Sequence, residues 1–324
     1  VTRVAAIDCG TNSIRLLIAE ADPATGRLAD LDRRMEIVRL GQGVDRTGRL
    51  APEALERTFA ACRAYAAAIR GYGITPDRTR FVATSASRDA SNRDDFTRGV
   101  QDILGVVPEV ITGDEEAELS FTGATRELRG TVPPPYLVLD IGGGSTEFVR
   151  GDTAVRAARS VDIGCVRLTE RHGLSDPPTG AQLAAMTADI EAALDLAAER
   201  VPLTGTHTLV GLAGSVTTVA AIALGLPAYD SAAIHHSRVT ADGVREVTAR
   251  LLAATHGERA AIPVMHPGRV DVIGAGALVL QQVMKRTGAR EVVVSEHDIL
   301  DGIAHNVADE VEQSGEGDDQ GKHG

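Results

Sequence analysis

Two uninterrupted apolar runs, 4–7 and 136–139, each end in an aspartate, Asp8 and Asp140. Each is followed by a turn of glycine and hydroxyl residues, Gly10-Thr11-Asn12-Ser13 in one case and Gly142-Gly143-Gly144-Ser145-Thr146 in the other, and then by a second apolar run. A continuous apolar run of this length predicts a strand buried on both faces of a sheet, where a half-exposed strand would alternate. The same strand, turn and strand, about 130 residues apart, predict duplicated halves facing each other across a cleft.

The remaining pattern predicts strands at 3–8, 13–20 and 28–39, then a helix over 52–72 with Pro52 at its start and Gly73 past its end. A strand at 80–84, a helix over 92–104, a strand at 106–111 and a helix over 113–129 follow. After the break from Gly130 to Pro135 the order restarts: strands at 136–140, 146–150 and 156–163, an Ala-rich helix over 180–200 and a strand at 208–212. Helices over 241–253 and 271–287, a strand at 292–295 and a helix over 299–312 complete the chain. Three strands and then mixed helices and strands, done twice, outline an α/β protein of two duplicated ribonuclease-H-like domains. The predicted domains are 1–125 and 126–312, with the polar, Gly-rich 313–324 as a disordered tail. The sequence leaves open which domain the last helix joins.

Composition narrows the class. A chain of 324 residues with 43% apolar and 24% charged residues is an ordinary globular protein able to bury two cores. With Trp absent and aromatics at 3%, those cores are built from Ala, Val, Leu and Ile. The net charge of −12 and the lack of a basic run argue against nucleic acid as a partner. An anionic small substrate needs only local donors and a divalent cation. Cys9, Cys62 and Cys165 show no metal or disulfide spacing, which predicts reduced thiols and a cytoplasmic protein. The longest apolar run, near 219–226, is too short to span a bilayer, so no membrane association is expected.

The turns carry the candidate chemistry. Backbone N–H groups, hydroxyls and an amide at Gly10, Thr11, Asn12 and Ser13, repeated at Gly142, Gly143, Gly144, Ser145 and Thr146, are neutral donors able to surround a phosphate. Gly214 and Ser215, at the end of another predicted strand and the start of a helix, form a third such element. Any one of them alone reads more readily as a plain tight turn; the three together at strand ends reverse that reading. Asp8 and Asp140 at the strand ends, with Glu147 after the second turn, are candidates for holding Mg²⁺, with Mn²⁺ as the alternative. In Thr112-Gly113-Asp114-Glu115-Glu116, Thr112 with Glu115 fits a capping box, which leaves Glu116 as the acid without a local role. It is the candidate general base. Arg88, after a strand, and Arg39 are candidate phosphate-binding guanidiniums. The adjacent His235 and His236 would point apart on a strand, with no acidic ligand at helical spacing, and are read as structural or exposed.

At these residues the chain resembles the exopolyphosphatase / guanosine pentaphosphate phosphohydrolase family, within the larger actin, sugar kinase and Hsp70-like superfamily. The resemblance runs up to about residue 308. It rests on Asp8-Cys9-Gly10-Thr11-Asn12-Ser13, Ala83-Thr84-Ser85-Ala86-Ser87-Arg88-Asp89-Ala90, Gly113-Asp114-Glu115-Glu116-Ala117, Leu139 to Glu147, Gly164-Cys165-Val166-Arg167-Leu168 and Ala275-Gly276-Ala277. It implies a water molecule removing the terminal phosphate of inorganic polyphosphate or the 5′-γ-phosphate of guanosine pentaphosphate (pppGpp). By the same resemblance Glu116 is the base, Asp140 and Glu147 are metal-site acids, and the two turns, Arg88 and Gly214-Ser215 touch phosphate. A homodimer is implied by family analogy. The chain lacks the C-terminal HD-like region of long members, which points to short polyphosphate. The family's Leu-Arg-Glu-Gly pattern appears as Ile299-Leu300-Asp301-Gly302, which puts contacts of that helix in question. The resulting expectation is a Mg²⁺-dependent exopolyphosphatase. A pppGpp hydrolase, a superfamily kinase and a non-catalytic (p)ppGpp or polyphosphate sensor are the alternatives.

Overall fold

The apolar runs ending at Asp8 and Asp140 are central strands of two separate sheets. The computed structural model describes residues 2–22 and 27–319. Among the described residues the strands are β1 (Thr2–Cys9), β2 (Ser13–Asp22), β3 (Arg27–Ile37), β4 (Thr79–Ala83) and β5 (Glu109–Val110), then β6 (Tyr136–Ile141), β7 (Thr146–Gly151), β8 (Val155–Val161), β9 (Thr208–Leu212), β10 (Arg238–Thr240) and β11 (Glu291–Val294). The first sheet has the order β3-β2-β1-β4-β5 and the second β10-β11-β9-β6-β7-β8. β1 to β3 pair antiparallel, and β4 and β5 add in parallel. β6 to β8 likewise pair antiparallel, and β9 and β11 add in parallel. The second sheet therefore repeats the first strand for strand, with β10 as an additional edge. This is the duplicated ribonuclease-H-like α/β fold.

The helices are α1 (Val44–Thr47), α2 (Pro52–Gly71), α3 (Ser85–Asp89), α4 (Arg93–Leu104), α5 (Gly113–Thr125), α6 (Cys165–His172), α7 (Gly180–Ala198), α8 (Ala213–Ala223), α9 (Ser231–Ile234), α10 (Ala241–Ala253), α11 (His256–Ala260), α12 (Ile273–Thr287) and α13 (Ile299–Asp319). Two compact units result: Val1–Thr112 with Ile299–Gly324, and Gly113–Asp298. The division falls before α5 rather than after it, because α5 lies on β7 and β8 of the second sheet. The last helix returns to the first sheet, where it covers β1, β2 and β4.

Local departures from the sequence pattern have physical causes. The strand expected at 106–111 shrinks to β5, since it is an edge that pairs only with Val82 and Ala83 of the short β4. The helix α6, not anticipated, is amphipathic, with Cys165, Val166 and Leu168 buried. The helix α13 carries its hydrogen-bonded turns on to Asp319, into the stretch where a disordered tail is expected, while 320–324 lie outside the described residues. The changed Ile299-Leu300-Asp301-Gly302 segment keeps a specific contact: Asp301 is buried and its Oδ1 accepts from Arg33 Nη2 at 2.5 Å. All three cysteines are free and buried. Burial pushes the Cys62 thiol up to about 12 and raises Cys9 and Cys165 as well, so none is a reactive thiolate at neutral pH. No helix among the described residues is long and apolar enough to cross a membrane.

Candidate active site

The two glycine turns share one construction. Gly10 N–H donates to Ser13 O at 2.9 Å, and Gly142 N–H donates to Ser145 O at 3.0 Å. In the second unit Gly142 O accepts from Cys165 N–H, and Gly143 O accepts from Val166 and Arg167 N–H. Gly144 O accepts from Arg167 Nε at 2.6 Å. Within a planar trans peptide the carbonyl and the following N–H point in opposite directions. With these three carbonyls committed to α6 and Arg167, the amides of Gly143, Gly144 and Ser145 point away from that helix as a row of donors. Such a row suits an anion. Thr146 serves the turn differently: its buried hydroxyl donates to Ile163 O.

The close seating of the turn on α6 requires Gly164. A Cβ there would lie 2.3 Å from Gly143 O and 2.5 Å from Gly144 N, both backbone atoms that cannot swing aside. We expect Gly164→Ala to lower stability by about 1–3 kcal/mol, as overpacking does. Gly180→Ala is the control, because a Cβ at Gly180 meets nothing within 4 Å. Urea midpoints of the two variants check this.

The acids of the second unit form a row. Asp140 of β6 stands directly opposite Glu147 of β7, which stands opposite Ser160 of β8. Directly opposed residues project on the same face of a sheet. Helix α5 covers that face. Its Ser120 hydroxyl donates to Asp140 Oδ2 at 2.6 Å, and Ser160 donates to Glu147 Oε1 at 2.7 Å. Gly113 sits on Ser160, where a Cβ would come within 2.5 Å of the Ser160 Cβ. Positions 113, 116 and 120 fall on one side of a helix. Glu116 therefore shares the side that touches the row at both ends. Glu116, Asp140 and Glu147 are 8, 7 and 1% exposed. Three carboxylates so deeply placed on one face call for compensating positive charge, and the positive N-terminal end of α5 supplies part of it.

In the first unit the corresponding strand position carries the opposite charge. Asp8 stands opposite Arg15 as Asp140 stands opposite Glu147. Arg15 Nη2 lies 2.7 Å from Asp8 Oδ2, with Asp8 buried. The aspartate expected to join a metal shell is thus already neutralised by a guanidinium, which makes it a poor cation ligand. Thr11, Asn12 and Arg39 are held together: Thr11 O accepts from Gly41 N–H, and Asn12 O accepts from Val38 and Arg39 N–H. Arg39 takes a left-handed backbone at φ 50°. The Thr11 hydroxyl meets the Ser85 hydroxyl at 2.9 Å. Arg88 lies in the last turn of α3 rather than at the strand end, and its Nη1 donates to Ile111 O at 2.9 Å.

Three separated motifs of the second unit converge at Gly214-Ser215. Ala213 has φ 65°, a strained backbone at the passage from β9 to α8. Arg269 lies across Gly214 and donates to Gly214 O and Thr218 Oγ1 at 3.3 and 3.2 Å. A Cβ at Gly214 would be 2.2 Å from its Cζ. A Cβ at Gly276 would be 2.2 Å from Ser215 Oγ. Burial raises the Cys165 thiol, while its hydrogen bond with Ser215 and the charge of Arg269 hold it back. Arg269, Arg15, Ser120 and Ser160 escape sequence reasoning. Of these, only Ser120 leaves a signal, its i+4 spacing from Glu116.

The histidine pair departs from its expectation. His235 closes α9 and His236 has φ 61°, so the two do not alternate as on a strand. Their rings stack with centroids 3.7 Å apart, and an acid is present, Glu127.

Two sheets of one strand order, with like turns at the ends of their central strands and a buried acid row beside one of them, define a duplicated ribonuclease-H-like protein. Residues 17–310 match the model of the Ppx/GppA phosphatase family, and the chain belongs to that family. Exopolyphosphatase 2 of Mycobacterium tuberculosis is 52% identical over 318 residues, which cover 95% of this chain and 99% of that protein. The crystal structure of an exopolyphosphatase-like protein is 43% identical, with a TM-score of 0.91, and covers 96% of this chain and 100% of its own. That of the Aquifex aeolicus Ppx/GppA family member is 30% identical, with a TM-score of 0.78, over 96% of this chain and 98% of its own.

Proposed function

We propose that this chain is an exopolyphosphatase, hydrolysing the terminal phosphoanhydride bond of inorganic polyphosphate to release orthophosphate. The observation that carries the reading is the acid row: Asp140 and Glu147 directly opposed, each held by a serine, under the helix that bears Glu116. Glu116 is the base that takes a proton from the attacking water. Asp140 and Glu147 offer hard oxygen ligands on neighbouring strands, which fits Mg²⁺ bound by one or two carboxylates together with phosphate oxygens. When bound, Mg²⁺ supplies charge neutralisation to the phosphoryl group in flight. Asp8, paired with Arg15, stays outside that shell.

The amides of Gly143, Gly144 and Ser145 and the turn at Gly214-Ser215 hold phosphate oxygens. Gly10 to Ser13 with Arg39 and Arg88 make a second phosphate-binding element in the other unit. Free, buried cysteines support a cytoplasmic setting, and a homodimer rests on family resemblance.

The test follows orthophosphate release from polyphosphates of graded length, with and without Mg²⁺ or Mn²⁺, beside release from pppGpp on the same preparation. Metal-stimulated release from polyphosphate, strongest on short chains, is the expected outcome. Faster release from pppGpp would move the substrate to the nucleotide. Absence of release from both would end the hydrolase reading.

A further inference from the structure

We propose that Glu127, His235 and His236 form a binding site for a divalent transition-metal ion of the zinc class, with His297 at its edge. One donor atom from each of the first three lies within 4.8 Å of the others. His235 Nε2 is 3.3 Å from Glu127 Oε2, and His297 Nδ1 is 3.4 Å from the same oxygen. The His235 ring also lies against His297, with centroids 4.5 Å apart. Four donors thus converge from three places in the second unit: the turn after α5, the end of α9 and the loop after β11.

One observation beyond the cluster itself points to a ligand. The Nε2 of His236 is buried and has no hydrogen-bond partner among the described residues. A ring nitrogen in that state has lost its water and gained nothing for it. The backbone fixes where the ring sits: His236 takes φ 61°, and its N–H donates to Val294 O at 2.7 Å. Imidazole and carboxylate donors select zinc and its neighbours rather than Mg²⁺, which prefers oxygen alone.

His235 Nδ1 accepts from Glu296 N–H at 3.1 Å, which puts the ring proton on Nε2 facing Glu127. Metal binding at Nε2 requires the other neutral tautomer, with that proton moved to Nδ1, so the hydrogen bond from Glu296 N–H is given up for the metal bond.

Glu127 lies two residues past the end of α5, and the nine residues from Glu116 to Thr125 alone span roughly 14 Å at helical rise, so the site is separate from the acid row. A bound ion would tie the end of α5 to the loops around β10 and β11.

The experiment titrates Zn²⁺ into chelator-stripped protein in excess Mg²⁺, by calorimetry and by elemental analysis after desalting, with Co²⁺ absorption as a geometric readout. One Zn²⁺ per chain is expected, along with visible d–d bands from Co²⁺. Glu127→Gln and His236→Ala should each weaken Zn²⁺ binding tenfold or more, and Asp140→Asn should leave it unchanged. Glu127 is exposed, so Glu127→Gln should fold as the parent does, and circular dichroism checks both variants. The proposal is overturned if the parent binds no stoichiometric Zn²⁺. It is equally overturned if folded Glu127→Gln binds as the parent does, or if Asp140→Asn abolishes binding. These readouts do not depend on turnover, so failure here leaves the exopolyphosphatase reading standing.

Discussion

Glu116→Gln is expected to lower kcat for orthophosphate release by about 10²–10⁴, the range by which a positioned general base contributes. The substitution keeps the shape of a side chain that is 8% exposed, so the helix face on Asp140 and Ser160 stays seated. It also removes one negative charge beside a polyanionic substrate. KM should therefore stay level or fall, and orthophosphate should inhibit as well as before or better. A variant that keeps near-parental kcat, or that loses activity through a rising KM alone, would remove Glu116 from the chemistry. Steady-state kinetics on short polyphosphate, with a melting curve to confirm the fold, decide between these outcomes.

Asp140→Asn should act through the metal instead. Its carboxylate is one of two directly opposed acids, and the neutral amide is a weaker ligand for a hard cation. Activity at low Mg²⁺ should all but vanish, and the Mg²⁺ concentration for half-activation should rise at least tenfold. Ser120→Ala, which removes the hydrogen bond that orients Asp140, should shift the same midpoint by about 10–100-fold with a smaller loss at saturating Mg²⁺. If both variants titrate with Mg²⁺ like the parent, the metal is not held at this row.

Much of the framework was legible because the signals are local. A strand buried on both faces must be apolar throughout, and a turn that brings backbone amides together must use small residues. Both leave marks around Asp8 and Asp140. Their hydrogen-bonded turns are indeed alike, closed by Gly10 to Ser13 and Gly142 to Ser145. What the sequence hid was pairing between distant residues. That Asp8 faces Arg15 while Asp140 faces Glu147 depends on strand register, and it separates two acids that look equivalent in the chain. Ser160 meets Glu147 only because β8 adds to β7 in that alignment. The histidines were misread for a backbone reason: a strand would send His235 and His236 to opposite faces, but the left-handed turn at His236 folds one ring over the other. Arg269 gave no signal either, since its place over Gly214 comes from a loop more than fifty residues away.

The return of α13 to the first sheet also governs how the molecule is made. Gly113–Asp298 is continuous in the chain and can finish folding as it leaves the ribosome, whereas in Val1–Thr112 only one face of β1, that of Ala5, Ile7 and Cys9, packs with α2 and α4, and the opposite face has no cover until Ile299 onward emerges. At ~5–20 residues per second, that wait is on the order of ten to forty seconds. During it the apolar strand that ends in Asp8 is a natural client for chaperones, and truncating the last helix should leave a nascent chain that they do not release.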